Sequence, residues 1–441
     1  MASMTEIVSC SDMEKLKDIH GDMTEVGNHI HLNSAGDSPM PKPVLDMVKE
    51  VLDKEHLIGG YDTHALYTQE MTNVYESVGR MIGAGDPLSE IALVDSATTA
   101  WVRAFYSIHL IAGDVVLVSK VEYAANHVAI LQQTRRKGAH IEVIPSDENG
   151  LTSLNDLSLL LSTNSRIKVV CITWIPSNGG VINDAMGIGK ICAKHNVLYL
   201  LDGCQAVGHI SIDVQALKCN FLTATGRKFL RGPRGTGFLY VSASTLPILD
   251  EPITLDHYAA PLTDTTNYKV SPSAKRYEQW EKSVSSLIGL GCAVDYYINK
   301  VGMKWAEERT LFLANHLRTS LCRLNEKLDP AMLTIVVCDL GRVHDQNMEA
   351  STKVDFPTQC GIVTCHIKKP SSCEAFDNWK FKKYLFSKNI YIAITTPSST
   401  LIDAIERNLP DMLRLSVHYF NTIEEIGLFC RLLYDYMQEE G

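Results

Sequence analysis

Between residues 90 and 240 the chain repeats one unit, a short apolar run rich in β-branched residues followed by a stretch long enough for a helix. The runs are IALV, DVVLVS, HIEVIP, KVVCIT, VLYLLD, FLTAT and TGFLYVS. Strands apolar on both faces need cover on both faces, and helix-length connections let successive strands pair in parallel. The pattern predicts an α/β domain with a mostly parallel sheet. Ligands of such sheets sit beyond the carboxyl ends of the strands, so the polar residues after each run are where chemistry is expected. From about residue 285 the pattern changes to one long helical stretch, LIGLGCAVDYYINKVGMKWAEERTLFLANHLRTSLCRL. Strand-like MLTIVVCD and GIVTCHIKK follow, then helix-like EAFDNWKFKKYLFSKN and a strand-then-helix ending. This divides the chain into an N-terminal segment at 1–28, a large α/β domain at 29–290 and a smaller α+β domain at 291–441. Neither internal repeats nor low-complexity segments interrupt it.

Charge narrows the partners. With 41 basic and 51 acidic side chains among 441 residues, the net charge is −10, which lacks the phosphate-neutralising surplus of a nucleic-acid binder. No run of eighteen apolar residues exists, and MASMTEIVSCSDMEKLKDIHGDM is too polar and acidic for a signal or transit peptide. A cytoplasmic protein without membrane or nucleic-acid partners, working on small molecules, is expected. The twelve cysteines are scattered through strand-like and helical contexts and read as reduced, buried apolar residues. Cys360, Cys365 and His366 come nearest to a metal pattern, but a strand-like run separates them and no second cluster completes four ligands.

Four strand ends carry candidate chemistry. In VLYLLDGCQAVGH, Asp202 emerges from a buried run and needs a partner to stay ionised, such as a protonated ring nitrogen, unless it merely caps the next helix. In TATGRKFLRGPRGTG, Lys228 sits among Arg227, Arg231 and Arg234, where positive charge and partial burial favour the neutral, nucleophilic amine; the alternative is a phosphate-binding loop in which it is a point charge. Ser96, Thr98 and Thr99 in VDSATTAWV fall where a helix start presents unpaired N–H groups to an anion, although such residues also cap most helices. Tyr123 in KVEYAAN offers a ring for stacking, or else joins the core. A phosphate cradle, a stacking ring, a strand-end aspartate and a nucleophilic lysine, in this order, are together the requirements of a pyridoxal phosphate site.

Over most of its length, from HLNSAGDSPMP to RLSVHYFNTIEEI, the sequence resembles the class V aminotransferase and cysteine desulfurase group of fold-type I pyridoxal phosphate enzymes. The block DGCQAVGHISIDVQALKCNFLTATGRKFLRGPRGTGFLYV carries the resemblance almost position for position. It implies a seven-stranded, mostly parallel sheet with helices on both faces, and a homodimer whose interface builds the active site. It further implies that Lys228 forms the Schiff base with the cofactor, Asp202 pairs with the pyridine nitrogen and Gln205 lies near the pyridoxal oxygen. Ser96, Ala97, Thr98, Thr99, Thr225 and Arg227 are implied around the phosphate, with Tyr123 and Asn178 also on the cofactor. Arg414 is implied to receive the substrate carboxylate, for which its bidentate fork is suited, with Asn33, Ser34 and Tyr61 lining the substrate pocket. Trp280 and Glu281 fall where relatives lend a phosphate ligand across the dimer, without the expected hydroxyl.

Two departures narrow the activity. Tyr123 stands where desulfurases often have histidine, and the loop before Arg414, where they carry a nucleophilic cysteine, reads AITTPSSTLIDAIERNLPD. A persulfide-forming desulfurase is therefore not expected. GGYDTH, EYAAN, TGRKFLRGPRGTG and RYEQWEKS resemble a subgroup of isopenicillin N epimerase-like proteins and hercynylcysteine sulfoxide lyases. The expected function is a carbon–sulfur β-lyase on an S-substituted cysteine or its sulfoxide, with Arg414 anchoring the amino-acid substrate and Lys228 as general base on Cα. An aminotransferase and an epimerase use the same cofactor residues, the latter needing a second acid for which His31 and His64 are candidates. A pseudoenzyme would have no use for the charges of Lys228, Asp202 and Arg414, and a nucleotide-binding loop would need the absent GxxxxGK[ST] pattern.

Overall fold

The apolar runs pair into one sheet in the computed structural model, which describes residues 10–23, 29–329, 333–338, 359–369 and 375–440. A short β1 (Ile30–His31) precedes β2 (Ile91–Val94), β3 (Val115–Val118), β4 (His140–Val143), β5 (Ile167–Thr173), β6 (Leu198–Asp202), β7 (Phe221–Thr225) and β8 (Gly237–Val241). Their order is β2-β8-β7-β6-β5-β3-β4. Only β8 runs antiparallel to its neighbours, since it returns from β7 through a loop with no helix to reverse the chain.

Alternation along each strand explains why these runs are apolar throughout. Ile91, Leu93, Val170, Ile172, Tyr199 and Leu201 face one core, built with helices Thr68–Ile82, Ala185–His195 and Val284–Asp295. Ala92, Val94, Val169, Cys171 and Leu200 face the opposite core, under helices Ala97–Tyr106 and Ala124–Lys137. The strands inside the sheet thus meet helices on both faces, at roughly 1.5–3 kcal/mol for each large aliphatic group buried, while β4 at the edge stays half-buried.

The stretch expected as one long helix is two. Helix Val284–Asp295 continues into a π-helical turn over Tyr296–Val301 and stops at Gly302, whose φ of 81° suits glycine alone; helix Met303–Asn325 then starts afresh. Helix Val284–Asp295 spans the boundary expected at 290, and its Leu287 and Leu290 lie in the large core. Ala306 still belongs to that core, while Leu313 and Leu317, about two and three turns later, belong to the C-terminal one. That second body holds β9 (Thr334–Val337), β10 (Ile362–Lys368), β11 (Ile390–Tyr391), β12 (Ala393–Thr395) and β13 (Met412–Ser416). Four of these form an antiparallel sheet, β12-β13-β10-β9, and β11 pairs in parallel with β1. Leu32 accordingly packs in the C-terminal core, which carries the chain from 33 to 38 across the junction of the two bodies. The N-terminal segment is described at 10–23, where helix Cys10–Gly21 lies against the helix junction through Trp305 Nε1 donating to Asp12 and Tyr296 Oη donating to Asp22. Among the described residues no helix is long and apolar enough to cross a membrane, and no cluster of three potential ligands could hold a metal.

Candidate active site

Asp202 ends β6 and is register partner to Thr173, which ends β5. Its buried carboxylate is held at both oxygens: Asn126 Nδ2 donates to Oδ2 at 2.7 Å and the Cys204 amide donates to Oδ1 at 2.9 Å. Burial pushes its pKa above the usual carboxylate range, against the pull of those two hydrogen bonds and of the Lys228 ammonium. Lys228, in the turn after β7, is itself buried and faces both Asp202 and Cys204. Tyr123 precedes helix Ala124–Lys137, its amide donating to Thr173 Oγ1 at 3.1 Å, and its half-buried ring stands among Cys204, Asp202, Arg227 and Arg414. Strand ends therefore bring Asp202, Lys228 and Tyr123 together as the sequence order suggested.

Behind Asp202 lies a carboxylate to which sequence reasoning gave no role. Glu122 is fully buried and accepts from Thr173 N at 3.1 Å, Thr173 Oγ1 at 2.8 Å and Asn126 Nδ2 at 2.8 Å. Burial pushes it up to about 7, with the Asp202 charge adding and the three hydrogen bonds opposing. The only trace in the sequence is a glutamate and an asparagine four apart around a helix start, a common spacing.

At the opposite end, Ser96 caps helix Ala97–Tyr106, its Oγ accepting from the Thr99 amide at 3.1 Å. Ala97, Thr98 and Thr99 form the first turn, with their remaining N–H groups directed out of the helix. β8 starts hard against this turn: a Cβ on Gly237 would lie 2.9 Å from the carbonyl carbon of Ser96 and 3.1 Å from Ala97 N. Thr225 is buried beside it, donating to Thr236 O at 3.0 Å. Arg227 reaches back to the carbonyl of Gly36.

Four sequence expectations change. Arg231, expected in a basic loop around Lys228, turns inward at a φ of 62°, donates to Pro39 O at 2.8 Å and Tyr419 Oη at 3.1 Å, and stacks on Phe420. It is a structural tie between the two bodies. Asn178, expected on the cofactor, spends its amide on the 395–400 loop, donating to Thr396 O at 3.0 Å and Thr400 Oγ1 at 3.1 Å and accepting from Thr395 Oγ1. Tyr61 is 75% exposed and lies beside Trp280, 6.2 Å between ring centroids, with His64 on the same side; it joins none of the other candidates within this chain. His31 is pulled down to about 4 by burial and by Arg231, so it is a neutral ring at physiological pH rather than an acid.

The substrate side is built by the turn at 33–36 and by β13. Gly36 permits the turn, since a Cβ there would lie 2.6 Å from Asn33 Oδ1. Arg414, mid-strand in β13, makes only long bonds, 3.3 Å to Ser177 O and 3.4 Å to Asn33 Oδ1, and its Nε has no partner. Burial lowers its pKa to about 10, leaving it cationic. Ser34 Oγ and Gln205 Oε1 are likewise buried without partners, while Gln205 Nε2 is fixed on Ala35 O at 3.0 Å. Two buried carboxylates, Asp202 and Glu122, with Lys228 facing the first, helix N–H groups open to an anion, and unpaired atoms at Gln205, Ser34 and Arg414 fit a phosphorylated, protonated pyridine together with an amino-acid carboxylate.

Known proteins resemble this chain in sequence and in fold. The model of the family described as aminotransferase class-V matches residues 30–349. A cysteine desulfurase of Enterobacter sp. (strain 638) is 30% identical over 332 residues, covering 71% of this chain and 78% of its own. Among solved structures, the apo cysteine desulfurase from Thermococcus onnurineus NA1 superposes with a TM-score of 0.81 at 18% identity, over 96% of this chain and 98% of its own. The cystine C-S lyase C-DES, in complex with its reaction product cysteine persulfide, gives 0.77 at 18% identity, over 93% and 99%.

Proposed function

The chain belongs to the aminotransferase class-V family of pyridoxal-phosphate-dependent enzymes, and from that premise we propose that it is a carbon–sulfur β-lyase acting on an S-substituted cysteine or its sulfoxide. The observation that carries this reading is the loop before Arg414. It is a hydroxyl-lined turn, Pro397–Thr400, anchored by Asn178 and containing no thiol, where the desulfurases it resembles carry their nucleophile. Without that thiol, sulfur leaves with its substituent rather than passing to the protein. The shared fold of a cystine C-S lyase and the resemblance of GGYDTH, EYAAN and RYEQWEKS to the hercynylcysteine sulfoxide lyase subgroup support the same side.

Lys228 would hold the cofactor covalently, Asp202 its ring nitrogen, Gln205 its ring oxygen, and Ser96, Thr99 and the helix start its phosphate, with Tyr123 over the ring. Pyridoxal phosphate, when bound, supplies the sink for the electron pair left at Cα. Arg414 holds the substrate carboxylate in its guanidinium fork, and Asn33 Oδ1 aligns that fork. Lys228 Nζ, once displaced, takes the Cα proton, and the buried walls around it keep water from competing for that proton. Incubation with S-substituted cysteines, their sulfoxides, cysteine, and alanine plus a keto acid tests the reading. Pyruvate release without any acceptor is the expected outcome; strict dependence on a keto acid would make the protein an aminotransferase, and loss of chirality at Cα without pyruvate an epimerase.

The same reading takes the chain as a cytoplasmic homodimer with neither nucleic-acid nor membrane partners. Leu57, Ile58, Tyr61, Leu66 and Trp280 are exposed in neighbouring turns, an apolar surface that a second copy would cover. Sedimentation of the holoenzyme at twice the 48.9 kDa chain mass is expected.

A further inference from the structure

The carboxylate behind the site has no part in the steps above, and its surroundings are peculiar. Glu122 is 3% exposed, yet every hydrogen bond reaching it among the described residues comes from a neutral group. A position with a purely structural task would be served at lower desolvation cost by an apolar residue, and a glutamine could accept at only one of the two oxygens these donors reach. What Glu122 does that those could not is fix Asn126. An amide has two N–H bonds, and Asn126 gives one to Glu122 Oε1 at 2.8 Å and the other to Asp202 Oδ2 at 2.7 Å. Turning the amide over would set its oxygen against two carboxylates at once. Asp202 is therefore gripped in one orientation, Oδ2 by Asn126 and Oδ1 by the Cys204 amide, with its free lone pairs left for a single further donor.

The geometry points to Glu122 as a positioning residue that acts through Asn126 on Asp202 and thereby sets how firmly the cofactor's ring nitrogen keeps its proton. This rests on the cofactor alone and holds whether the enzyme is a lyase or a transaminase. The groups facing the pair are few. Cys171 and Thr173 come from β5, Tyr199 and Asp202 from β6, Asn126 from the helix, and Tyr123, Cys204 and Lys228 border Asp202 from the adjoining turns. Burial pushes Cys171 and Tyr199 well above their ordinary values, so both stay neutral. Lys228 is the one cation of this set, and it stands on the Asp202 side, so the charge of Glu122 is felt along the line through Asn126 to the cofactor.

The test uses the holoenzyme and its visible absorption band. In Glu122→Gln one of the two acceptor oxygens becomes an NH2 group that cannot accept from Thr173 or Asn126, the hold on Asn126 weakens, and a negative charge near the protonated cofactor is gone. The pH midpoint at which the band changes is expected to fall by about one unit, because the proton-bearing form loses that stabilisation, and the cofactor dissociation constant to rise about tenfold. Asn126→Ala severs the same line from the helix side and is expected to shift the band in the same sense, which keeps the test open should Glu122→Gln not fold. A structural role would move thermal stability but not this midpoint. In an Asp202→Asn background Glu122→Gln is expected to produce no further shift, since the path runs through Asp202. An unchanged midpoint in both single variants, or an equal shift with and without Asp202, overturns the inference. Absence of the band in wild-type protein supplied with pyridoxal phosphate would instead remove the cofactor on which the inference stands.

Discussion

Two buried glutamates show the fold handling negative charge in opposite ways. Glu278, beneath β2, is given a cation: Lys282 Nζ lies 2.8 Å from its Oε2, while Tyr75 Oη and the Leu93 amide complete its hydrogen bonds. Glu122, at the carboxyl ends of β5 and β6, is surrounded by amides and a hydroxyl and is coupled to a second carboxylate, Asp202. The first arrangement is complete within the chain. The second is short of positive charge, and it lies where the proposed function places the protonated ring of the cofactor. Where the protein closes a buried charge with its own lysine, the task is to fasten helix Thr68–Ile82 and the 277–283 segment to the sheet edge; where it leaves the charge open, the proposed function makes the cofactor the counter-ion.

Lys228 and Lys282 break this comparison most severely if it is wrong. Lys228→Ala is expected to lower turnover about 10⁴-fold, the upper range for loss of a general base, and to abolish the visible band while the melting temperature of the cofactor-free protein holds. A variant that unfolds instead would put Lys228 in the same structural class as Lys282. Glu278→Ala is the converse case. It leaves Lys282, whose side chain is 12% exposed, without its partner, and is expected to destabilise the protein by about 3–5 kcal/mol in denaturant titration while the activity of the folded fraction persists.

A pH titration of stability sharpens the contrast further. Burial raises Glu122 from 4.5 to about 7, so between those values the folded chain holds a proton that the unfolded chain has released. Its contribution is full below the unfolded value and is lost as pH rises through 7, about 3 kcal/mol in all. His31 and His209, both pulled down to about 4 by burial, work in the opposite sense, losing stability as pH falls below 6.5. These histidines are common to wild type and Glu122→Gln and cancel in the difference. Measured on cofactor-free protein, the stability of wild type relative to Glu122→Gln is therefore expected to fall from pH 5 to pH 8; a flat difference would show that Glu122 is ionised throughout and needs no ligand to balance it.

The open site was legible in the sequence where one residue follows one strand. Asp202 and Lys228 stand at the ends of LYLLD and FLTAT, and a short apolar run fixes both its own burial and the position of what comes next. Seven such runs were enough for the sheet as well. What the sequence hid depends on contacts between distant segments. Arg231 shares a tripeptide-scale neighbourhood with Lys228, yet a left-handed backbone at that residue sends its side chain into the core toward Tyr419. The bridge from Glu122 to Asp202 exists only because the start of helix Ala124–Lys137 meets the ends of β5 and β6 at Thr173 and Asp202, 76 residues separating Asn126 from its acceptor. The break at Gly302 was hidden by amphipathic residues on both sides, which keep a helical pattern through a π turn that shifts the face.

The smallest expected effect concerns Asn178, where the reading by resemblance and the geometry give different outcomes. Placed on the cofactor, Asn178→Ala would weaken cofactor binding and alter the visible band. Placed as the structure has it, the side chain ties Thr395, Thr396 and Thr400 over the site, and helix Leu401–Glu406 behind them is tied separately by Lys120 to Glu406 at 2.6 Å. Removing the amide loosens the loop by three hydrogen bonds, about 2–4 kcal/mol, without freeing it. Substrate then meets a mobile wall beside Arg414. KM is expected to rise about tenfold with turnover and cofactor affinity close to wild type, since no contact to the reacting atoms has been lost. A fall in turnover with released cofactor would return Asn178 to the cofactor and leave the 395–400 loop held by Lys120 and its own turn.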